Sequence, residues 1–323
     1  MNKFKWKKNG RVFDPSAVLN RYFIKAFAQA PCTVVFDDFV RVYFSCRPDA
    51  DAYGQYVSYS AFVDLDRKNL MNVLRFSDKP ILELGGKGSF DEFGTYPVSV
   101  IKKENEYWAY YAGWTRCESV PYNTSIGLAI SKNNGITFDK FGKGPILSFS
   151  LNEPMTISGP KIRFFNNKYY LFYVIGNKWI QGIERPESVF KIRMAISEDG
   201  INWERLNKNI IPNVLEENEC QSSPDVFFRE GKYHMFFSYK YSYDFRNKER
   251  GYRIGYASSL DMINWEREDS KAGIDVSSDG WDSEMVSYPH VIELDGKIYM
   301  LYIGNGVGKE GFGLAEFINE VKI

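Results

Sequence analysis

Short apolar and aromatic runs, each bounded by a polar turn, recur along this chain, and no stretch sustains a helical period. VFFREGKYHMFF, residues 226–237, is representative: an apolar run, a polar REG turn and a second aromatic-rich run. The same arrangement follows Pro31, Pro97, Pro160, Pro224 and Pro289, with the turns DD, KEN, NN, REG and LDG. In each copy an aromatic stands thirteen residues after the proline: Phe44, Tyr110, Tyr173, Phe237 and Tyr302. The prolines are separated by 66, 63, 64 and 65 residues. Self-similarity at a fixed period marks a repeat architecture, and the repeating unit here is made of strands.

Each unit continues alike. A third strand follows (TSIGLAIS, FKIRMAIS, YRIGYASS), then a turn such as SEDG or SLDM and a fourth strand such as INWERL or INWERE. Four strands in each of five units predict an all-β fold, a five-bladed β-propeller with four-stranded antiparallel blades, and one domain over 1–323. The fifth unit stops after its third strand. FKWKKNGRVFDPSAVL near the N-terminus resembles the fourth-strand segments, so residues near 4 to 14 are expected to close the last blade and remove two sheet edges. Trp203 and Trp265 of the INWE segments read as packing residues.

Composition narrows the chemistry. Aromatics make up 17% of the chain, which suits strands and also supplies flat platforms for sugar rings. Lysine plus arginine and aspartate plus glutamate are both 41, so no excess charge points to a nucleic-acid partner. No apolar run is long enough to predict a membrane span or a signal peptide, and a cytoplasmic location is expected. Two histidines and four widely spaced cysteines predict no His/Cys metal centre, and no cofactor is implied.

In a propeller, equivalent inner-strand positions converge on one axis. The residues before the five prolines are Ala30, Tyr96, Gly159, Ser223 and Tyr288; those after are Cys32, Val98, Lys161, Asp225 and His290. Strand alternation predicts that both rings face the same way. Lys161, Asp225 and His290 read either as a polar plug or as a binding cluster, since polar groups in a channel need partners in both cases. Five residues before three of the prolines stand Glu92, Glu219 and Glu284, with Asp91 and Asp282 nearby. Paired carboxylates perform acid and base work in glycoside cleavage, so Glu219, Asp225 and Glu284 are the candidate catalytic groups. Glu219 or Asp225 is expected to act as acid/base, and Glu284 and Asp91 to accept sugar hydroxyls. Arg47 and Arg116 follow second strands and are expected at the same mouth, where a guanidinium fork suits a carboxylate or phosphate. With Lys161 they suit an anionic donor. Tyr96, Trp114 and Tyr288 are candidate stacking platforms, and Asn305 lies in a glycine-rich turn near the axis.

The stretches FDEFGTYPVSV, GWTRCESVPYNTSIGLAIS, GWDSEMVSYPHV and YIGNGVGKEGFGLAEF resemble the five-bladed glycosidase propellers, the superfamily of invertase, levansucrase, arabinanase and β-xylosidase relatives. The chain is most similar to a branch found among bacterial surface-polysaccharide genes. The resemblance implies a carbohydrate substrate. It departs at the familiar acids: Ala30, Tyr96 and Ser158 stand where arabinanase-type enzymes carry Asp, Asp and Glu. Glu219-Cys220 matches the Glu-Cys pair of invertases only superficially. The missing triad favours an enzyme that transfers a glycosyl unit, a furanosyl one included, from a donor such as a nucleotide sugar during surface-polysaccharide synthesis. A hydrolase or phosphorylase with relocated acids, and a glycan-binding module without catalysis, are the alternatives.

Overall fold

The structure, a computed structural model, describes residues 2–215 and 218–322. Its strands form five sheets of four antiparallel strands each. Blade 1 runs Ala26–Val35, Phe39–Arg47, Tyr59–Asp66 and Asn69–Phe76 from axis to rim. Blade 2 is Gly94–Lys103, Glu106–Arg116, Tyr122–Ser131 and Asp139–Lys140; blade 3 is Ile157–Phe165, Lys168–Gln181, Pro186–Ser197 and Glu204–Arg205. Blade 4 is Cys220–Arg229, Lys232–Lys240, Arg253–Ser259 and Glu266–Arg267. Blade 5 is Ser287–Leu294, Lys297–Ile303 and Phe312–Lys322, completed on its outer edge by the N-terminal strand Asn2–Phe13. Each inner strand packs on the inner strands of the two neighbouring blades, and blade 5 packs on blade 1, so the ring is closed. This is the five-bladed propeller that the repeat predicts.

The core is divided among the blade interfaces. Tyr43 and Phe62 meet Val98 and Tyr111 between blades 1 and 2. Tyr110 and Ile126 meet Leu171 and Tyr173 between blades 2 and 3. Phe172 and Met194 meet Met235 and Phe237 between blades 3 and 4. Phe236 and Tyr256 meet Met300 and Tyr302 between blades 4 and 5, with Phe4 and Trp6 of the N-terminal strand. Val42 and Phe44 meet Leu301 and Ile303 across the closing interface. A blade is covered on both faces, so its strands read as continuous apolar runs rather than as an alternation. The aromatic thirteen residues after each proline is fully buried in every blade.

The turns before the fourth strands carry a repeated device. Asp199 Oδ1 accepts hydrogen bonds from the backbone N–H of Ile201 and Asn202 and from Ser197 Oγ; Asp261 does the same with Ile263, Asn264 and Ser259. Trp265 sits in the core between blades 3 and 4 and donates to the Met262 carbonyl at 2.8 Å, a packing role.

All five inner strands break register at the proline, between Gln29 and Cys32, Thr95 and Val98, Ser158 and Lys161, Ser222 and Asp225, and Ser287 and His290. Ala30, Gly159, Ser223 and Tyr288 are left-handed there, and the Tyr96–Pro97 peptide is cis. The bulge alters the expected alternation. Tyr96, Gly159, Ser223 and Tyr288 line an open cavity above the proline ring. Lys161, Asp225 and His290 are buried, and Lys161 lines a narrow void of about 20 Å³ among the prolines.

Candidate active site

The cavity above the prolines has a volume of about 610 Å³. Its walls come mostly from the loops between second and third strands of successive blades: Gly54, Gln55 and Tyr56; Arg116, Cys117 and Pro121; Arg185 and Glu187; Lys240, Phe245 and Arg246; Gly306 and Val307. Its floor is aromatic. The rings of Tyr96 and Trp114 stack at 5.5 Å, Tyr122 lies 4.3 Å from Trp114, and Tyr252 lies 6.3 Å from Tyr288. Burial pushes the phenols of Tyr122, Tyr252 and Tyr288 well up, so they stay neutral hydrogen-bonding groups at physiological pH. Stacked faces with polar edges suit a pyranose or furanose ring.

The charge of the lining is one-sided. Arg47, Arg116, Arg185, Lys240 and Arg246 line the cavity, and Glu187 is its single carboxylate among the described residues. Glu187 lies 2.7 Å from Arg246 and 3.5 Å from Arg185. Lys240 is 4% exposed and makes no ion pair among the described residues; it donates to the Tyr241 carbonyl at 3.3 Å and lies 3.2 Å from the Phe245 ring centroid. Burial lowers its pKa, because the ammonium has lost water and the charge of Glu187, which does not pair with it, offsets the loss only in part. Arg47 rests on Phe27 and Tyr56 at 4.3 and 5.5 Å, and its Nε has no hydrogen-bond partner. Arg116 holds Asp51 at 3.3 Å, with both side chains about a third exposed.

Of the residues predicted from sequence, Arg47, Tyr96, Trp114, Arg116 and Tyr288 line this cavity. The predicted acids lie outside it. Asp91 accepts from Tyr111 at 2.8 Å and pairs with Lys140 at 2.6 Å. Asp282 accepts from Tyr302 at 2.9 Å and pairs with Lys8 at 2.7 Å. Glu219 pairs with Arg267 at 2.5 Å and accepts from Gln221 and from the N–H groups of Val214 and Leu215. Burial pushes the Glu219 carboxyl up, but Arg267, Gln221 and Val214 outweigh it and hold the group below its usual value. Glu153, which the repeat alignment does not single out, accepts from Tyr173 and pairs with Arg193 and Arg205. Each is an acid from the segment leading into an inner strand, fastened to the outermost strand of its own blade. They precede their prolines by six, seven, five and seven residues (Asp91, Glu153, Glu219, Asp282). A fixed offset of five therefore aligned Glu219 with Glu92 and Glu284, which are not its equivalents. Glu92 accepts from the Gly88 N–H at 2.8 Å in a local turn, and Glu284 is exposed outside the cavity. Asn305 Oδ1 accepts from the Glu284 and Met285 N–H groups, fastening the approach to blade 5.

Beneath the floor the three polar residues after the prolines do meet. His290 Nε2 accepts from the Thr33 N–H at 3.0 Å, so the ring proton is on Nδ1, 3.1 Å from Asp225 Oδ2. Lys161 Nζ lies 3.1 Å from the same Nδ1 and 3.9 Å from Asp225 Oδ1, and Arg163 also pairs with that oxygen. The Val291 N–H donates to Asp225 Oδ2 at 2.5 Å. Burial, then Lys161, lowers the His290 pKa to about 4. Burial raises the Asp225 carboxyl, but Arg163, Lys161 and His290 outweigh it, and the group stays ionised. The cluster ties blades 1, 3, 4 and 5 together at the axis and matches the polar-plug alternative. Among the described residues no group of three or more His, Cys, Asp or Glu is placed to hold a metal ion.

Glu187, Arg185, Lys240 and Arg246 are not legible in the repeat. Arg185 and Glu187 sit where the second and third strands of blade 3 run to 14 and 12 residues and pair as far as Gln181 with Pro186. That overlong hairpin, and the KYSYDFRNKERG loop of blade 4, are departures from the repeat; unequal loop length was the available signal.

A closed ring of five four-stranded sheets with a cavity over its axis is the fold of the five-bladed glycoside hydrolases. A solved structure described as a glycoside hydrolase superposes with a TM-score of 0.74 at 17% identity, covering 98% of this chain and 93% of that protein. A thermostable family-43 glycoside hydrolase superposes with a TM-score of 0.63 at 16% identity, covering 94% and 92%. The endo-arabinase of Bacteroides thetaiotaomicron superposes with a TM-score of 0.61 at 10% identity, covering 96% and 98%. No protein-family profile matches the sequence. The chain belongs to the family of the Mycobacterium tuberculosis proteins MT1551 and Rv1502, each 33% identical over 316 residues, 97% of this chain and 99% of theirs. It is also similar to the β-1,2-mannobiose phosphorylase of Thermoanaerobacter sp., 26% identical over 145 residues, 42% of this chain and 45% of that enzyme.

Proposed function

We propose that this protein is a carbohydrate-active enzyme that cleaves a glycosidic bond with phosphate and, in reverse, transfers the glycosyl unit from a glycosyl phosphate to a sugar acceptor. The carrying observation is the lining of the cavity: one carboxylate, Glu187, among five cationic side chains. Hydrolysis by the common route needs a second carboxylate, as base or nucleophile on the opposite face of the sugar. Phosphate brings its own nucleophilic oxygen and needs instead cations to hold it. In this reading a phosphate oxygen attacks the anomeric carbon, the carbon–oxygen glycosidic bond breaks, and the Glu187 carboxyl gives its proton to the departing oxygen. Arg185 and Arg246 pair with Glu187. Phosphate drawing those guanidinium groups away leaves the carboxyl without its counter-charges, which favours the acid form.

In this reading the proton-transfer role expected of Glu219 or Asp225 passes to Glu187, and Glu284, outside the cavity, takes no catalytic part. The similarity to a phosphorylase and the shared fold of glycoside hydrolases support the reading. It keeps glycosyl transfer as the reverse direction, with a glycosyl phosphate in place of the nucleotide sugar.

The test incubates the protein with an oligosaccharide panel, with and without inorganic phosphate, and measures glycosyl phosphate. The reverse assay measures phosphate released from glycosyl phosphates in the presence of sugar acceptors. Glu187→Gln is expected to lower turnover by ~100-fold or more while the protein stays folded. Sugar release independent of phosphate, or nucleotide release from nucleotide sugars with acceptor, would overturn phosphorolysis.

A further inference from the structure

The cations of the cavity form two groups. Lys240, Arg246 and Arg185 come from blades 3 and 4 and gather around Glu187 and Phe245. Arg47 and Arg116 come from blades 1 and 2 and share Tyr56: Arg47 lies against its ring, and Arg116 donates to its carbonyl at 3.3 Å. The stacked aromatics of Tyr96 and Trp114 also belong to the floor.

One phosphate at the first group leaves the second unanswered. Arg47 makes no ion pair among the described residues, and its Nε is buried without a hydrogen-bond partner. Gln29, 3% exposed and on the same blade, donates its amide to the Val307 carbonyl at 2.6 Å, yet its Oε1 has no partner. Arg116 leans on Asp51 through a half-open pair of the kind that exchanges readily. A guanidinium with an unfilled donor and an amide oxygen with an unfilled lone pair, both lining a cavity over an aromatic floor, leave polar groups for a ligand to satisfy.

We propose that the bound glycoside itself carries an acidic group, a carboxylate or a phosphate ester on the sugar, and that Arg47 and Arg116 hold it while Gln29 Oε1 accepts a sugar hydroxyl. The substrate class is an anionic sugar, which then carries a charge separate from the phosphate at Lys240 and Arg246. The inference rests on the phosphorolytic reading only for that second anion.

Calorimetric titrations with glucose, galactose and mannose, their uronic acids and their 6-phosphates, each with and without inorganic phosphate, test it. At least one charged sugar is expected to bind about tenfold or more tightly than its neutral parent, and to do so with phosphate present. The uronate and 6-phosphate arms separate the two sources of charge. Arg47→Met is expected to remove the preference and leave inorganic-phosphate binding intact, with Arg116→Met reducing it less. Lys240→Met is expected to weaken phosphate binding and keep the preference. Thermal unfolding of each variant checks that it is folded. Equal affinity for charged and neutral sugars throughout, a preference that survives Arg47→Met, or displacement of the charged sugar by inorganic phosphate would overturn the inference. A preserved preference without phosphorolysis sinks only the earlier reading; phosphorolysis without a preference sinks only this one.

Discussion

His290 is the residue whose surroundings most constrain the hub. Thr33 fixes its Nε2 as an acceptor, Asp225 accepts a hydrogen bond from its Nδ1–H, and Lys161 and Arg163 face it as cations. Its pKa falls from 6.5 to about 4. Between those values the unfolded chain binds a proton that the folded one refuses, so stability rises with pH across the window. The contribution is whole above pH 6.5 and is lost as pH falls toward 4. Urea midpoints are expected to drop from pH 7 to pH 4.5, and the His290→Gln variant to show a flatter slope there; an unchanged slope would remove His290 from the account. Asp225 acts in the same sense at lower pH, since its carboxyl is depressed. Asp225→Ala leaves the buried Lys161 and the partly buried Arg163 without a counter-charge, and breaking such a pair costs about 3–5 kcal/mol, read by denaturant unfolding. A loss below about 1 kcal/mol would contradict that accounting. The meeting of Lys161, Asp225 and His290 was legible from the proline register alone, because the same offset in a repeated unit means the same place on the axis. Their separation from the cavity was not, because a backbone bulge leaves no mark in an apolar run.

At the scale of elements, regularity and irregularity divide the labour. Inner strands and turns repeat, so strand order, the aromatic core and the closing strand could be read from spacing. The connections between second and third strands do not repeat; they carry Arg246 and Phe245, and Arg116 and Glu187 stand on the strand ends that flank them. Arg47 and Arg116 were foreseeable because they stand at the ends of recognisable strands. Glu187 was not, because it starts a third strand whose extension is peculiar to blade 3. The N-terminal strand is an element in its own right. Trp6 is buried between blades 4 and 5, stacks edge-on to Phe236 and donates to the Ala272 carbonyl at 3.0 Å. Trp6→Ala is expected to cost ~3–5 kcal/mol, measured by chemical unfolding. A change within about 0.5 kcal/mol, the range of surface substitutions, would show that the strand's packing does not hold the blade.

Across the whole molecule, charge is balanced in sum and uneven in place. The chain is neutral, yet among the described residues one cavity is lined by five cations and a single acid, while four other acids are spent in clamps that bind segments leading into inner strands to outer strands. Carboxylate density along the sequence therefore located the scaffold, whereas the candidate site is marked by cations, of which Arg47 and Lys240 make no ion pair among the described residues.

The clasp of the ring has a mechanical consequence. Its antiparallel register sets Asn2 opposite Lys322 and Phe13 opposite Phe312, so the first and last described residues lie side by side at the rim. Tension applied there loads the outermost ladder bond first and then its neighbour, peeling the pair like a zipper instead of shearing all its bonds together. A pull on Asn2 and Lys322 therefore opens the wheel bond by bond, and the first thing it frees is the fifth sheet's outer edge.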